Sequence, residues 1–285
     1  MMKPPTNVYR LAVVCLYLCL ISCSAETAHS PDGYNFDTPV KLPVKQALSE
    51  ISGICFPSGN SNFLYAIEDE RGKIYTVDLI SGAATDYPFG KKDDYEDLAS
   101  YQQKLYVLNS RGTINSLTIP TGEAPAFTVL TTFEGIVPAA EYEGMCVAND
   151  SLYVLCKESS SVDAKHNLAL YPFKIDEAGD LIPGTIIQPV TENIKGGKNN
   201  RKQKILPSAI AKNPVTGQWY ILSGVNKMLL VYNEQFEFVN NYQLDAGMFG
   251  QPEGITFNNK GDLYISNEAN GSDANILSFT YQPGK

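Results

Sequence analysis

The sequence predicts an all-β protein, specifically a five-bladed β-propeller closed by an N-terminal strand, with a six-bladed ring as the alternative blade count. Three observations carry this. The 285 residues are only 19% charged and hold 17 tyrosines, 22 glycines and 17 prolines, a composition suited to many short strands and turns and unlike a coiled coil or a disordered chain. One motif recurs five times: Ile51-Ser52-Gly53-Ile54, Tyr95-Glu96-Asp97-Leu98, Tyr142-Glu143-Gly144-Met145, Pro207-Ser208-Ala209-Ile210 and Pro252-Glu253-Gly254-Ile255. Each copy is followed by an aromatic and apolar second strand: Leu64-Tyr65-Ala66-Ile67, Leu105-Tyr106-Val107-Leu108, Leu152-Tyr153-Val154-Leu155, Trp219-Tyr220-Ile221-Leu222 and Leu263-Tyr264-Ile265-Ser266.

From the N-terminus, Lys3 and Arg10 flank the start of an apolar run, Leu11 to Ile21, too short to span a bilayer. Leu20-Ile21-Ser22-Cys23 closes it and resembles a bacterial lipobox, in which the cysteine is lipidated. An ordinary secretory signal cut near Ala25 is the alternative. Either reading exports the chain. Ser24, in place of Asp, favours the outer membrane under lipoprotein sorting rules, so the expected location is the cell envelope, as an outer-membrane lipoprotein. Residues 1–22 are then signal peptide, 23–33 a tether ending in Pro31-Asp32-Gly33, and 34–285 the propeller. The domain should touch the membrane through this anchor only. Export permits disulfides, yet only Cys55, Cys146 and Cys156 follow Cys23. An antiparallel register through the Asn149-Asp150 turn sets Cys146 opposite Tyr153, so the Cys146 and Cys156 thiols should not face each other, and all three are expected as buried, small apolar residues.

Third strands follow at Lys73 to Val77, Thr113 to Leu117, Leu168 to Phe173, Met228 to Tyr232 and Ile276 to Phe279. Spacings between the small or acidic motif residues are 44, 47, 65 and 45, a period of propeller blades, each burying its faces only against its neighbours. The spacing of 65 holds a hairpin from Glu158 to Asn167 and a loop from Thr191 to Lys204. The last unit stops after three strands, so Tyr34 to Leu42 is expected to supply the missing outer strand.

The order of these motifs, with Lys157-Glu158 and Ser266-Asn267-Glu268 after the third and fifth second strands, resembles the SdiA-regulated family from Val40 to Phe279. The resemblance implies a five-bladed propeller carrying calcium, with no established enzymatic activity. The unit from Pro252 to Ile265 is also similar to NHL repeats and to gluconolactonase-like propellers.

In a propeller, the start of each first strand and the end of each second strand share a rim of the central channel. That rim pairs Ser52 with Glu68, Glu96 with Asn109, Glu143 with Lys157, Ser208 with Ser223, and Glu253 with Asn267. Three glutamates therefore converge. At about 6 Å separation and an effective dielectric near 20, each pair repels by roughly 3 kcal/mol. Calcium, which takes carboxylate, carbonyl and water oxygens, would neutralise Glu96, Glu143 and Glu253, with Asn109, Asn267, Ser52 and Ser208 as further donors. The alternative is that Lys157, protonation or water satisfies them. Glu50, Asp94 and Glu141 are either supporting or simply solvated. With only two histidines, His29 and His166, zinc, copper and a Ser-His-Asp arrangement are poor fits.

A net charge of −9 argues against nucleic acid. Lys195 to Lys204 lacks the glycine spacing and Lys-Ser/Thr ending of a phosphate loop. Trp219 reads as core. Glu68-Asp69-Glu70 and Asn270 to Asn275 read as hairpin tips. The expectation is a monomeric binding or interaction module taking a small molecule or protein at the channel mouth, with a metal-dependent hydrolase of lactonase or phosphoesterase type as the alternative.

Overall fold

The computed structural model describes residues 30–44, 46–59, 62–120, 126–158, 168–192, 194–196, 201–202 and 204–284. The signal segment 1–22, Cys23, His29, His166 and most of the expected hairpin 158–167 lie outside these residues. Among the described residues, no helix is long and apolar enough to cross a membrane.

Five four-stranded antiparallel sheets follow one another along the chain. Blade one is β2 (Ile51–Cys55), β3 (Phe63–Glu68), β4 (Lys73–Asp78) and β5 (Ala84–Pro88). Blade two is β6 (Tyr95–Tyr101), β7 (Lys104–Asn109), β8 (Ile114–Thr118) and β9 (Thr128–Phe133). Blade three is β10 (Glu141–Ala148), β11 (Ser151–Glu158), β12 (Ala169–Ile175) and β13 (Leu181–Pro183). A two-stranded hairpin, β14 (Lys195–Gly196) with β15 (Arg201–Lys202), occupies the long connection to blade four. Blade four is β16 (Ala209–Lys212), β17 (Trp219–Ser223), β18 (Met228–Tyr232) and β19 (Phe238–Gln243). Blade five is β20 (Pro252–Phe257), β21 (Leu263–Asn267) and β22 (Asn275–Phe279), completed by β1 (Val40–Pro43).

The closing strand forms, but over fewer residues than Tyr34 to Leu42. Pairing with β22 runs only from Val40 opposite Ser278 to Pro43 opposite Asn275. The residues before it do other work. Gly33, at φ +86°, turns the chain, and Tyr34 and Phe36 wedge into the seam between blades four and five. The Tyr34 hydroxyl donates to the Gly261 carbonyl at 2.6 Å and accepts from Asn213 Nδ2 at 2.7 Å. Its ring packs against Tyr220, Phe257 and Tyr281, while Phe36 packs against Phe249 and Phe279. Filling that seam pulls the chain off the β22 edge until Val40. Pro31 and Gly33 are buried too, so the packed domain begins inside the expected tether.

The core is distributed. Five apolar clusters sit at the five blade-to-blade seams, with blades one and two meeting through Ile67, Ile74, Leu98 and Val107, for example, and blades three and four through Leu155, Ile210, Trp219 and Leu230. The middle strands of a blade are covered on both faces. This is why β17 and β18 are buried at every position and read as continuous apolar runs rather than alternating ones. Asn149 and Asp150, at φ +49° and +54°, make the tight turn between β10 and β11, and Cys146 does pair with Tyr153. None of the three described cysteines forms a disulfide; Cys55 and Cys156 are buried, whereas Cys146 is only half-buried. Cys146 lines a small cavity at the far end of the channel, as the buried Cys55 does.

Candidate functional site

The mouth of the channel is built by β-bulges. In blade two, Tyr95 opposes Asn109 and Asp97 opposes Leu108, leaving Glu96 unmatched. In blade three, Tyr142 opposes Cys156 and Gly144 opposes Leu155, leaving Glu143 unmatched. Blade five repeats this around Glu253, and in blade one Ser52 and Gly53 share the shifted register. A bulge re-aims the extra side chain; here it points Glu96, Glu143 and Glu253 at the channel mouth, whereas β16 of blade four pairs without a shift. Blade three carries a second bulge. Glu141 opposes Glu158 while Tyr142 opposes Cys156, so Lys157 is also unmatched and turned towards the mouth.

The residue after each bulge lies against the next blade. A Cβ on Gly53 would come within 2.6 Å of the Asp97 Cα, and one on Gly144 within 3.0 Å of the Ala209 Cα. Blade two has Asp97 at this position, and its carboxylate does the joining: Oδ1 accepts from Leu98 N at 2.8 Å and Oδ2 from Met145 N in blade three at 2.7 Å. Burial pushes the Asp97 carboxyl well up despite these donors. Ser52 Oγ donates to Glu96 O at 2.6 Å, Ser208 Oγ to Pro252 O at 3.1 Å, and Ser266 Oγ to Ser52 O at 2.8 Å. The two motif serines therefore stitch neighbouring blades together.

Above this ring opens a cavity of about 170 Å³. Blades one, two, three and five line it with Glu50, Asp69, Asp94, Glu96, Glu143, Glu253 and Glu268, and with Lys157. Blade four contributes Leu206, Pro207, Ser208 and Val225 instead, so one wall is largely apolar. Lys157 Nζ is ion-paired to Glu143 Oε1. Burial lowers the Lys157 pKa, but the hydrogen bond and charge of Glu143 outweigh it and leave the ammonium more firmly protonated than usual. Burial, then the charges of Glu143 and Asp94, push Glu96 up to about 9. Burial and Glu143 push Glu253 up to about 7. Burial, then a hydrogen bond with Glu50, pushes Glu268 up to about 8, while Gln251 Nε2 donates to Glu268 Oε2. Asp69 is raised by burial and by Glu50, Glu70 and Asp94. The mouth therefore holds carboxyls that resist ionising together.

Glu96, Glu143 and Glu253 come together here, as does the Lys157 that could take a cation's place. Asn109 and Asn267 do not line the cavity. Asn109 Oδ1 accepts from Arg111 N at 2.9 Å, and Asn267 Nδ2 donates to Asn275 Oδ1 at 3.1 Å. They pair in register with Tyr95 and Pro252, just outside the bulges, and so face their own hairpins. Glu68 is likewise buried and paired to Arg71 at 2.9 Å. Glu141 is exposed. Sequence reasoning passed over Asp69 and Glu268 as mouth residues. The available signal was their position, one residue beyond β3 and β21, where the chain passes over the rim. Among the described residues, no three His, Cys, Asp or Glu side chains are already drawn close enough to hold a metal ion.

The model of the SdiA-regulated family matches residues 190–271, the stretch from the long connection through blade four to just past β21, in agreement with the resemblance carried by the motifs. No curated protein sequence matches significantly. Among solved structures, the chain is similar to the glutaminyl cyclase of Myxococcus xanthus, at 15% identity and a TM-score of 0.59, covering 85% of this chain and 94% of that one. It is also similar to the calcium-binding protein regucalcin of Agrobacterium tumefaciens, at 10% identity and a TM-score of 0.52, covering 85% and 96%. At such identities the likeness is one of fold: these are propeller proteins, and so is this chain.

Proposed function

We propose that this propeller is exported and anchored through a lipid on Cys23, and that it captures a cation at its acidic mouth, working as a binding or interaction module. The observation that supports this most is electrostatic. The Glu96 and Glu253 carboxyls, pushed up to about 9 and about 7, face one cavity with five further acids and one lysine. Positive charge delivered there is favoured because it lets these groups ionise.

Calcium is the metal whose chemistry suits the donors, since among the described residues the mouth offers carboxylate and hydroxyl oxygens without a thiol or imidazole. The carboxylates are not preassembled, because Lys157 holds Glu143. Glu143 must leave Lys157, and Glu96 and Glu253 must approach, before an ion is held. The expected affinity is therefore modest, and Lys157 competes with the ion. Asn109 and Asn267 are left out of this ligand set.

Calorimetric titration of calcium into the chelator-treated domain tests the reading. Heat of binding that disappears in Glu143→Gln and grows in Lys157→Met supports it. A flat titration in all three proteins removes calcium as the ligand. The anchor is tested separately by mass spectrometry of the N-terminal peptide, where an unmodified N-terminus at or beyond Ser24 would refute it.

A further inference from the structure

From the way the N-terminal segment docks, we infer that the acidic mouth faces away from the membrane, so that its ligand arrives from the aqueous side while the opposite face of the propeller lies over the lipid. The inference rests on the lipid anchor at Cys23 proposed above.

The two faces are unambiguous in chain direction. The mouth lies where β10, β16 and β20 begin, and their ends lead to hairpins on the other face, including Asn213 to Gln218 and Asn258 to Asp262. The N-terminal segment is clamped to that second face. Tyr34 bonds Gly261 and Asn213, one from each of those hairpins, and Gln282 N donates to the Gly33 carbonyl at 2.8 Å. From there β1 runs towards the mouth, with Val40 beside Ser278 and Pro43 beside Asn275. The chain therefore enters the domain at the face opposite the acids.

Magnitudes decide whether the anchor could still be led round to the mouth. Ser24 to Ser30 is seven residues, at most about 25 Å of chain even when fully extended. The eight residues of β10 alone rise about 27 Å, and a chain led round the rim must also cross the width of the blades. The anchor cannot reach far enough to turn the mouth onto the bilayer. Charge acts in the same direction, because a mouth lined by seven acids and one lysine is repelled by anionic headgroups.

Two exposed valines of blade four report on the two faces. Val215, 52% exposed, lies beside Gly261 near the clamped segment, and Val225, 70% exposed, lines the mouth. The full lipidated chain carrying Val215→Cys or Val225→Cys, in a Cys146→Ser background, is labelled with a donor fluorophore and reconstituted into vesicles containing a headgroup acceptor. Energy transfer is expected to be several-fold stronger from position 215 than from 225. Ile80→Cys, on another hairpin of the far face and 91% exposed, should behave like position 215. Vesicle-bound protein with equal or reversed transfer overturns the orientation and leaves the anchor standing. Protein that does not float with vesicles, and behaves as Cys23→Ser does, overturns the anchor and the orientation with it.

Discussion

At the scale of single residues, the mouth is a contest for positive charge, and Lys157 is its internal contestant. Its partner Glu143 is 14% exposed at the side chain and Lys157 itself 29%, so removing the ammonium leaves an acid poorly solvated. Lys157→Met should destabilise the chelator-treated domain by about 1–3 kcal/mol, read as a lower urea midpoint, and should enlarge the stabilisation by calcium. Glu96→Gln should do the reverse. It removes a carboxyl that must otherwise be held protonated, so without calcium the variant should match or exceed the parent at pH 8, while its response to calcium shrinks. The pH dependence has a definite sign. Glu96, Glu253 and Glu268 hold protons up to about 9, 7 and 8, whereas unfolded glutamates lose theirs near the ordinary value of 4.5. Their stabilising contribution is therefore complete below that ordinary value and drains away as the pH climbs through 7 to 9. A melting temperature that falls between pH 6 and pH 9 in chelator checks this; one that rises would mean the acids are already compensated.

At the scale of elements, the bulges are what turn a repeated motif into a site. The repeat itself was legible: five copies at blade spacing locate every inner strand, and the aromatic and apolar runs locate the second strands. The bulges were not legible, because whether a residue is unmatched depends on the register of two strands, and composition is blind to that. For the same reason Asn109 and Asn267 look like rim donors in sequence yet sit one register position away from the residues that reach the axis. The glycine after the bulges of blades one, three and five is the clearest trace that sequence carries. Gly53 has the Asp97 backbone within 2.6 Å of where a Cβ would lie, so Gly53→Ala must push blades one and two apart. A loss of about 1–3 kcal/mol, measured by denaturant unfolding, is the expected outcome. Asp97→Ala strips the acceptor from Met145 N and should cost a similar amount.

At the scale of the whole molecule, closure depends on a short strand and an aromatic wedge acting together. The missing outer strand of blade five was predictable from counting strands; that Tyr34 and Phe36 would fill a seam instead of extending the strand was not, since their partners Tyr220, Phe249 and Phe279 come from blades far away in sequence. A chain starting near Ile51 loses both devices and bares the β22 edge, so it should melt several degrees lower or aggregate, as read by calorimetry and light scattering. The same clamp fixes which face the N-terminus leaves from, and the acids gathered at the other face give that face its chemistry. The most direct test of cation capture there is the melting temperature of the chelator-treated domain as calcium is added. Binding to the folded state alone predicts a rise that continues with the logarithm of calcium concentration beyond saturation, reduced in Glu143→Gln and enlarged in Lys157→Met. A melting temperature unmoved by millimolar calcium in all three proteins would contradict the account and leave Lys157 as the charge the mouth was built around.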